Sequence, residues 1–371
     1  MADRWSISGT ERAIVPIIYR PARADELQAT QQHIVRSIND LSERHGFGSM
    51  ASVRTPDFQL FSLNDDPAGL WTAERDGEIV GSAFSWVCGD LWFLAELFIS
   101  PALQGQGIGG ELLKRALQHA DTAGAAHKAL ITFTFNRVSQ GLYIRHGLFP
   151  RLPVYMFGAV REAVMARLPG DRLRSIRIEN TAAHSAALAA IDVSALGVSR
   201  AKHHAFLAGD AATKGFLLYD GGDCVAYAYV NQGGHVGPFA VARADAAAPA
   251  FVTALHLAAE SGAAQVSAFI PGTSEAVLKI AAGQGMRITF PMVLMSSDAF
   301  GDWSRYLPRN PGFHVAARPP CVRRGLFICR RARRDTATRP PAMRMPASPG
   351  GGSGSRGGSP RTPDTSRRER G

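Results

Sequence analysis

Cysteine is scarce: the 371 residues hold four, Cys88, Cys224, Cys321 and Cys329, and no CxxC pair. That scatter excludes a disulfide framework and a four-ligand zinc site, so no metal is expected. It suits a reducing compartment, with Cys88 and Cys224 as buried, inert thiols. Long apolar runs are missing as well. No stretch approaches the roughly 18 uninterrupted apolar residues of a membrane span. The opening MADRWSISGTERAIVPIIY has neither the basic region nor the apolar run of a secretory signal. The expectation is a soluble, cytoplasmic protein with no membrane partner.

Charge is also absent from most of the chain. From Arg318 onward there are 14 arginines against Asp335, Asp364 and Glu369, a surplus of 11 that exceeds the net +10 of the whole sequence. The preceding 317 residues therefore sum to −1, and the body carries no nucleic-acid footprint. The basic stretch, residues 317–371, is rich in Arg, Pro, Gly and Ser with little to bury, so it is expected to be disordered. It is either a solvated extension or a loose binder of nucleic acid or another polyanion.

One pattern occurs twice before that tail. LWTAERDGEIVGSAFSWV (70–87) reads as two strands around an Asp76-Gly77 turn, and FLLYDGGDCVAYAYV (216–230) has the same design around Gly221-Gly222. A strand, a long helix, another strand and a shorter helix follow each hairpin. In the first copy these are FLAELFIS, 108–122, KALITFTF and 137–146; in the second, HVGPFAV, 246–262, AQVSAFI and 273–284. The pattern is an α/β unit with a mixed sheet, present in two copies. RLPGDRLRS (167–175) offers the boundary between them, and a helix ended by Gly46 precedes the first hairpin.

The densest local signal is SPALQGQGIGGELL (100–113), with four glycines in six residues. The string Gly105-x-Gly107-x-x-Gly110 matches a dinucleotide fingerprint, but Ser100 to Leu103 separate it from the strand and no carboxylate ends the next one, so that reading fails. A better frame is Gln104-x-x-Gly107-x-Gly109 at a helix N-terminus, ahead of the stripe Ile108, Leu112, Leu113, Ala116, Leu117 and Ala120. Unpaired N–H groups and the positive end of the helix dipole make an anion site there, and bare glycines let a pyrophosphate approach. The alternative is a plain tight turn. The second block is Asn136-Arg-Val-Ser139-Gln-Gly-Leu-Tyr143-Ile-Arg-His-Gly147-Leu-Phe149, after the next strand.

The two blocks together resemble the GNAT superfamily of acyl-CoA-dependent N-acyltransferases, over roughly residues 15 to 160. The resemblance implies two tandem GNAT folds: a catalytic domain at 1–162, a linker at 163–174, a degenerate copy at 175–316, and the tail. It implies acetyl-CoA as cosubstrate, held by Gln104, Gly105, Gln106, Gly107, Ile108, Gly109 and Gly110, by the backbone of Phe98 and Ile99, and by Asn136 and Ser139. Tyr143 is the implied general acid; its alternative is a packed core tyrosine. Asn136 and Ser139 could instead only cap their helix. Glu96, in an apolar strand, is the candidate base with a raised pKa, or it faces the sheet edge or pairs with an arginine.

The second copy has no glycine turn, and places Pro271 and Leu278 where Asn136 and Tyr143 stand. The function implied is transfer of an acetyl group to a primary amine of a small molecule or protein by direct attack. The other class is a regulatory protein that binds acyl-CoA without catalysis.

Overall fold

A computed structural model describes residues 16–312. The first half runs β1 (Ile18–Pro21), α1 (Leu27–Arg44), α2 (Asp57–Asp65), β2 (Leu70–Arg75), β3 (Glu78–Cys88), β4 (Leu91–Ile99), α3 (Ile108–Thr122), β5 (His127–Phe133), α4 (Arg137–Arg145) and β6 (Phe149–Val160). The second runs α5 (Arg161–Met165), β7 (Arg174–Arg177), α6 (Ala182–Leu196), α7 (Ala201–Gly209), β8 (Thr213–Asp220), β9 (Asp223–Asn231), β10 (His235–Val241), α8 (Ala247–Glu260), β11 (Gln265–Pro271), α9 (Glu275–Gly283), β12 (Arg287–Ser296) and β13 (Tyr306–Leu307). The basic tail and its cysteines lie outside the described residues.

Local chemistry sets several of these ends. Asp76 and Gly77 both take positive φ, 54° and 77°, which closes β2 and β3 into a tight hairpin. Gly46 and Gly147 take positive φ just past α1 and α4, where a left-handed residue ends a helix without a Cβ clash. On α3, the stripe Ile108, Leu112, Leu113, Ala116 and Ala120 is buried against Trp92, Leu94 and Leu130 of the sheet.

The thirteen strands of the described residues join one mixed sheet in the order β1-β2-β3-β4-β5-β12-β6-β11-β10-β9-β8-β7, with β13 beside β10. Among these strands only β4–β5 and β10–β11 pair parallel. The centre is an exchange: β12 pairs β5, β6 pairs β11, and β6 and β12 pair each other antiparallel from Arg287↔Gly158 to Ser296↔Phe149. Each half thus takes its innermost strand from the other. One core cluster follows the exchange, with Ile131, Val154, Met156, Phe269, Phe290, Met292 and Leu294 buried together.

The sequence pattern did not show β6, β12 or β13. The first two carry Pro150, Pro153 and Pro291, which weaken a strand signal, and their partners are far away in the chain. Cys88 is buried, and desolvation pushes its thiol up to about 12. Cys224 is only half-buried, not buried as expected, because it lies near the turn of the β8–β9 hairpin.

Candidate active site

The site begins where β4 and β5 part. Their parallel register runs from Leu91↔His127 to Leu94↔Leu130 and stops. At that point β4 shifts against β3: Ser85 faces Leu94 but Phe84 faces Glu96, leaving Ala95 as an extra residue. Such a bulge bends its strand and interrupts pairing, so β4 swings from β5 and a gap opens in the sheet. A cavity of about 620 Å³ fills the gap and reaches from the glycine turn to the face that carries α1. That volume suits a small-molecule site.

The glycine turn forms one mouth. After a short 3₁₀ turn at Pro101–Leu103, Gly105 and Gly107 take φ of 82° and 84°, and Gly107 is the N-cap of α3. The first helical bonds run from the Gly110 and Glu111 amides to the Gly107 carbonyl, so the amides of Ile108 and Gly109 lie ahead of the hydrogen-bonded ladder. A Cβ built at Gly105 or Gly107 would meet nothing within 4 Å, which leaves open space in front of these donors. The site has the form of a cradle for an anion. Gln104 is exposed and donates from Nε2 back to the Ile99 carbonyl at 3.2 Å.

Within β4, Ser100 N–H donates to the Val80 carbonyl. Antiparallel alternation then aims the backbone of Phe98 at β3 and that of Leu97 and Ile99 at the gap. The pair named from the sequence therefore divides. Ile99 faces the gap, whereas Phe98 lines the cavity with its carbonyl already near His33 Nε2 at 3.3 Å. Leu97 carried no sequence signal, because strand phase depends on the bulge.

Asn136 is the N-cap of α4, its Oδ1 accepting from the Ser139 amide at 3.1 Å, and both residues line the cavity. One helical turn further, Tyr143 is 5% exposed and lines the same cavity. Desolvation raises its phenol pKa, while a hydrogen bond with the Ser139 side chain acts the other way. Tyr143 therefore holds its proton at neutral pH.

Glu96 is buried in the cavity wall, and burial pushes its carboxyl up to about 7. Its side-chain partner is Gln59 of α2, whose Nε2 donates to Oε1 at 2.8 Å. Neither the sheet-edge nor the arginine-pair alternative holds. The first half thus gathers at one cavity an anion cradle, a near-neutral carboxyl and a protonated phenol. Among the described residues no cluster of three His, Cys, Asp or Glu is placed to hold a metal.

The corresponding opening in the second half is filled. Parallel pairing of β10 and β11 covers only His235↔Ser267 and Val236↔Ala268. Beyond it, β13 pairs β10 through Phe239↔Leu307 and Ala240↔Tyr306, and Val241 N–H donates to the Arg305 carbonyl. Packing here is close: a Cβ on Gly237 would stand 2.8 Å from the Pro308 carbonyl oxygen. Tyr306 is tied by its hydroxyl to Arg200 Nη1 at 2.8 Å, and Arg200 is fixed by Asp192 at 2.9 Å. The chain then runs to Pro311 and Gly312, which line the first half's cavity, with Gly312 against Ala95 of β4.

The site thus lies in a doubled mixed α/β sheet, parted by a bulge in its first half beside a glycine-bound helix N-terminus. Residues 36–148, the segment that holds the gap and the cradle, match the sequence model of the Acetyltransferase (GNAT) family. The fold resembles a putative acetyltransferase from Pyrococcus horikoshii, with a TM-score of 0.61 at 16% identity over 78% of this chain and 92% of that one. It also resembles a tandem GNAT protein from the clavulanic acid biosynthesis pathway, with a TM-score of 0.50 at 14% identity over 77% and 98%.

Among curated relatives, a mycothiol acetyltransferase of Streptomyces avermitilis is 33% identical over 89 residues, 22% of this chain and 27% of its own length. A putative ribosomal protein bS18-alanine N-acetyltransferase of Bacillus subtilis is 28% identical over 103 residues, 28% of this chain and 68% of its own. The match to the mycothiol enzyme thus spans about a quarter of that relative.

Proposed function

We propose that the protein is an N-acyltransferase that moves an acetyl group from acetyl-CoA to a primary amine by direct attack in a ternary complex. The observation that carries this reading is the meeting of Glu96 and Tyr143, with opposite proton tasks, at one gap beside the glycine cradle. Acetyl-CoA supplies the activated acyl thioester. The amides from Gly105 to Gly110 would hold its pyrophosphate, and Asn136, Ser139 and the inward backbone of Leu97 and Ile99 its pantetheine arm. The same inward amides would take the charge that develops on the carbonyl oxygen.

Glu96 would remove the proton of the attacking ammonium. An alkylamine has a pKa of about 10.4, and a carboxyl near 7 is ionised often enough at neutral pH to accept that proton. Tyr143 would return a proton to the departing sulfur, a task that mere binding of acyl-CoA does not need. The second half, its gap closed by β13, would complete the fold and wall the acceptor side without binding a cofactor. The ranges 1–162 and 175–316 would be the two copies, with 163–174 as the linker, and the exchange of β6 and β12 would make them structurally interdependent.

Both the mycothiol acetyltransferase and the bS18-alanine N-acetyltransferase are relatives, so small molecules and protein amino groups both remain acceptor classes. Calorimetric titration with acetyl-CoA tests the core of the reading. One site is expected for the wild type, and none for a variant carrying Asn136→Ala and Gly107→Asp. Absence of binding by the wild type overturns the proposal.

A further inference from the structure

The acceptor end of the cavity has a composition of its own. Past Glu96 its wall is Phe133 and Phe135 of the first half together with Met156, Phe269, Phe290 and Met292 at the strand exchange. The rings form a connected surface, with centroids 5.1 Å apart for Phe133–Phe135, 5.5 Å for Phe133–Phe290 and 6.3 Å for Phe269–Phe290. Among the described residues that line the cavity, Glu96 is the one carboxylate.

This combination selects by chemistry. A polyamine or aminoglycoside carries several positive charges, and one carboxylate offsets only one of them. A sugar amine would leave hydroxyls desolvated against rings and thioethers that offer no strong partner. An apolar body loses nothing there, and rings and sulfur pack well together.

We infer that the acceptor is a monoamine carried on an apolar, ring-bearing body, seated on the aromatic and thioether wall that the strand exchange builds. This inference rests on the acyltransferase reading. It assigns the second half a direct part in acceptor choice, through Phe269, Phe290 and Met292.

The test uses the full chain with saturating acetyl-CoA, reading kcat/KM from release of free thiol, beside calorimetry for acetyl-CoA itself. Phenylethylamine and phenylbutylamine are expected to exceed glucosamine and spermidine by about 10- to 100-fold, the range set by burying one large apolar group. Each methylene added from butylamine to hexylamine should raise kcat/KM by about fourfold. In Phe290→Ser the preference for the ring amines should fall about tenfold with acetyl-CoA affinity unchanged. The wild-type series decides the matter even if that variant does not fold.

Preference for spermidine or glucosamine, or turnover of no amine while acetyl-CoA binds, overturns the inference and leaves the cofactor site standing. Preference for hexanoyl-CoA over acetyl-CoA also overturns it, since the apolar wall would then hold the acyl chain. Failure to bind acetyl-CoA removes the acyltransferase reading instead.

Discussion

Gln59 Nε2 donates to Glu96 Oε1 at 2.8 Å in the wall of the cavity, joining a helix to the strand that borders the gap. The neutral amide orients the carboxylate without adding charge, so burial dominates and the pKa rises to about 7. An arginine at that place would have held Glu96 ionised and made it a poor base near neutrality.

The pH dependence follows. Glu96 accepts a proton only when ionised, so turnover should climb as pH rises through about 7. A profile of kcat/KM from pH 5 to 9 checks this, and a flat profile removes Glu96 from the reaction. Stability moves the opposite way. The folded carboxyl holds its proton more tightly than the unfolded one, so the fold loses stability as pH rises from the ordinary value of 4.5 to about 7.

Glu96→Gln separates the two effects. The amide can keep the bond to Gln59 but cannot ionise. Turnover should fall by about 10²–10⁴, while stability at pH 8 should rise by up to about 3 kcal/mol, the order set by a shift of roughly 2.5 pKa units. Denaturant titration at pH 5 and pH 8 reads the second effect, with most of the gain appearing at pH 8. Equal gains at both values would mean the charge of Glu96 is not what destabilises the fold.

Tyr143→Phe removes one hydroxyl from a buried ring and leaves its packing against α3 and the sheet. The expected result is a loss of about 10²–10⁴ in kcat with the KM for acetyl-CoA nearly unchanged. Substrates with a more acidic thiol leaving group should regain rate, because they need the proton less. Full activity in the variant would reduce Tyr143 to a core residue.

A Cβ at Gly105 or Gly107 meets nothing within 4 Å, as at the ordinary turn glycines Gly46 and Gly77, but these two line the cavity at the N-terminus of α3. Gly107→Ala meets no steric neighbour, so its stability cost is the left-handed backbone alone, about 1–2 kcal/mol. Its effect on acetyl-CoA affinity should be larger than on the melting transition, since the new methyl occupies space proposed for the pyrophosphate. Calorimetry of Gly105→Ala and Gly107→Ala beside thermal melts tests the comparison.

Sequence reasoning reached the parts of this molecule that are local in the chain. The Asp76-Gly77 hairpin, the α3 stripe, the Asn136 cap and the position of Tyr143 on the next turn depend on residues within a few positions of one another. Burial of Glu96 was also legible from its apolar strand. Gln59 was not, because its partner lies 37 residues away and the apolar residues of α2 form no single face that would aim it inward. Nor was the exchange of β6 and β12, whose prolines obscure the strand pattern and whose pairings join residues up to 167 positions apart. The acceptor wall depends on that exchange, so its composition was invisible before the sheet order was known.

The gap of the second half is closed by β13. β13 occupies the edge of β10 that the first half leaves open on β4, and Arg200, 1% exposed, anchors it through Tyr306 while Asp192, fully buried, balances the charge. Asp192 also accepts from the Tyr227 hydroxyl at 2.6 Å and contacts His204 Nε2 at 2.9 Å, so one carboxylate organises the whole group. Burial opposes its ionisation, but the Arg200 charge prevails and holds the carboxyl well below its usual range. Asp192→Ala should therefore destabilise the protein by about 3–5 kcal/mol, since it leaves the guanidinium charge buried without its counter-ion. Tyr306→Phe removes only the anchoring hydroxyl and should cost about 1–3 kcal/mol. In both variants, and in the wild type, acetyl-CoA should bind at one site per chain, because the second half lacks the glycine cradle as well as the gap. A second site appearing in Tyr306→Phe would show that β13 alone, and not the missing cradle, keeps the second half silent.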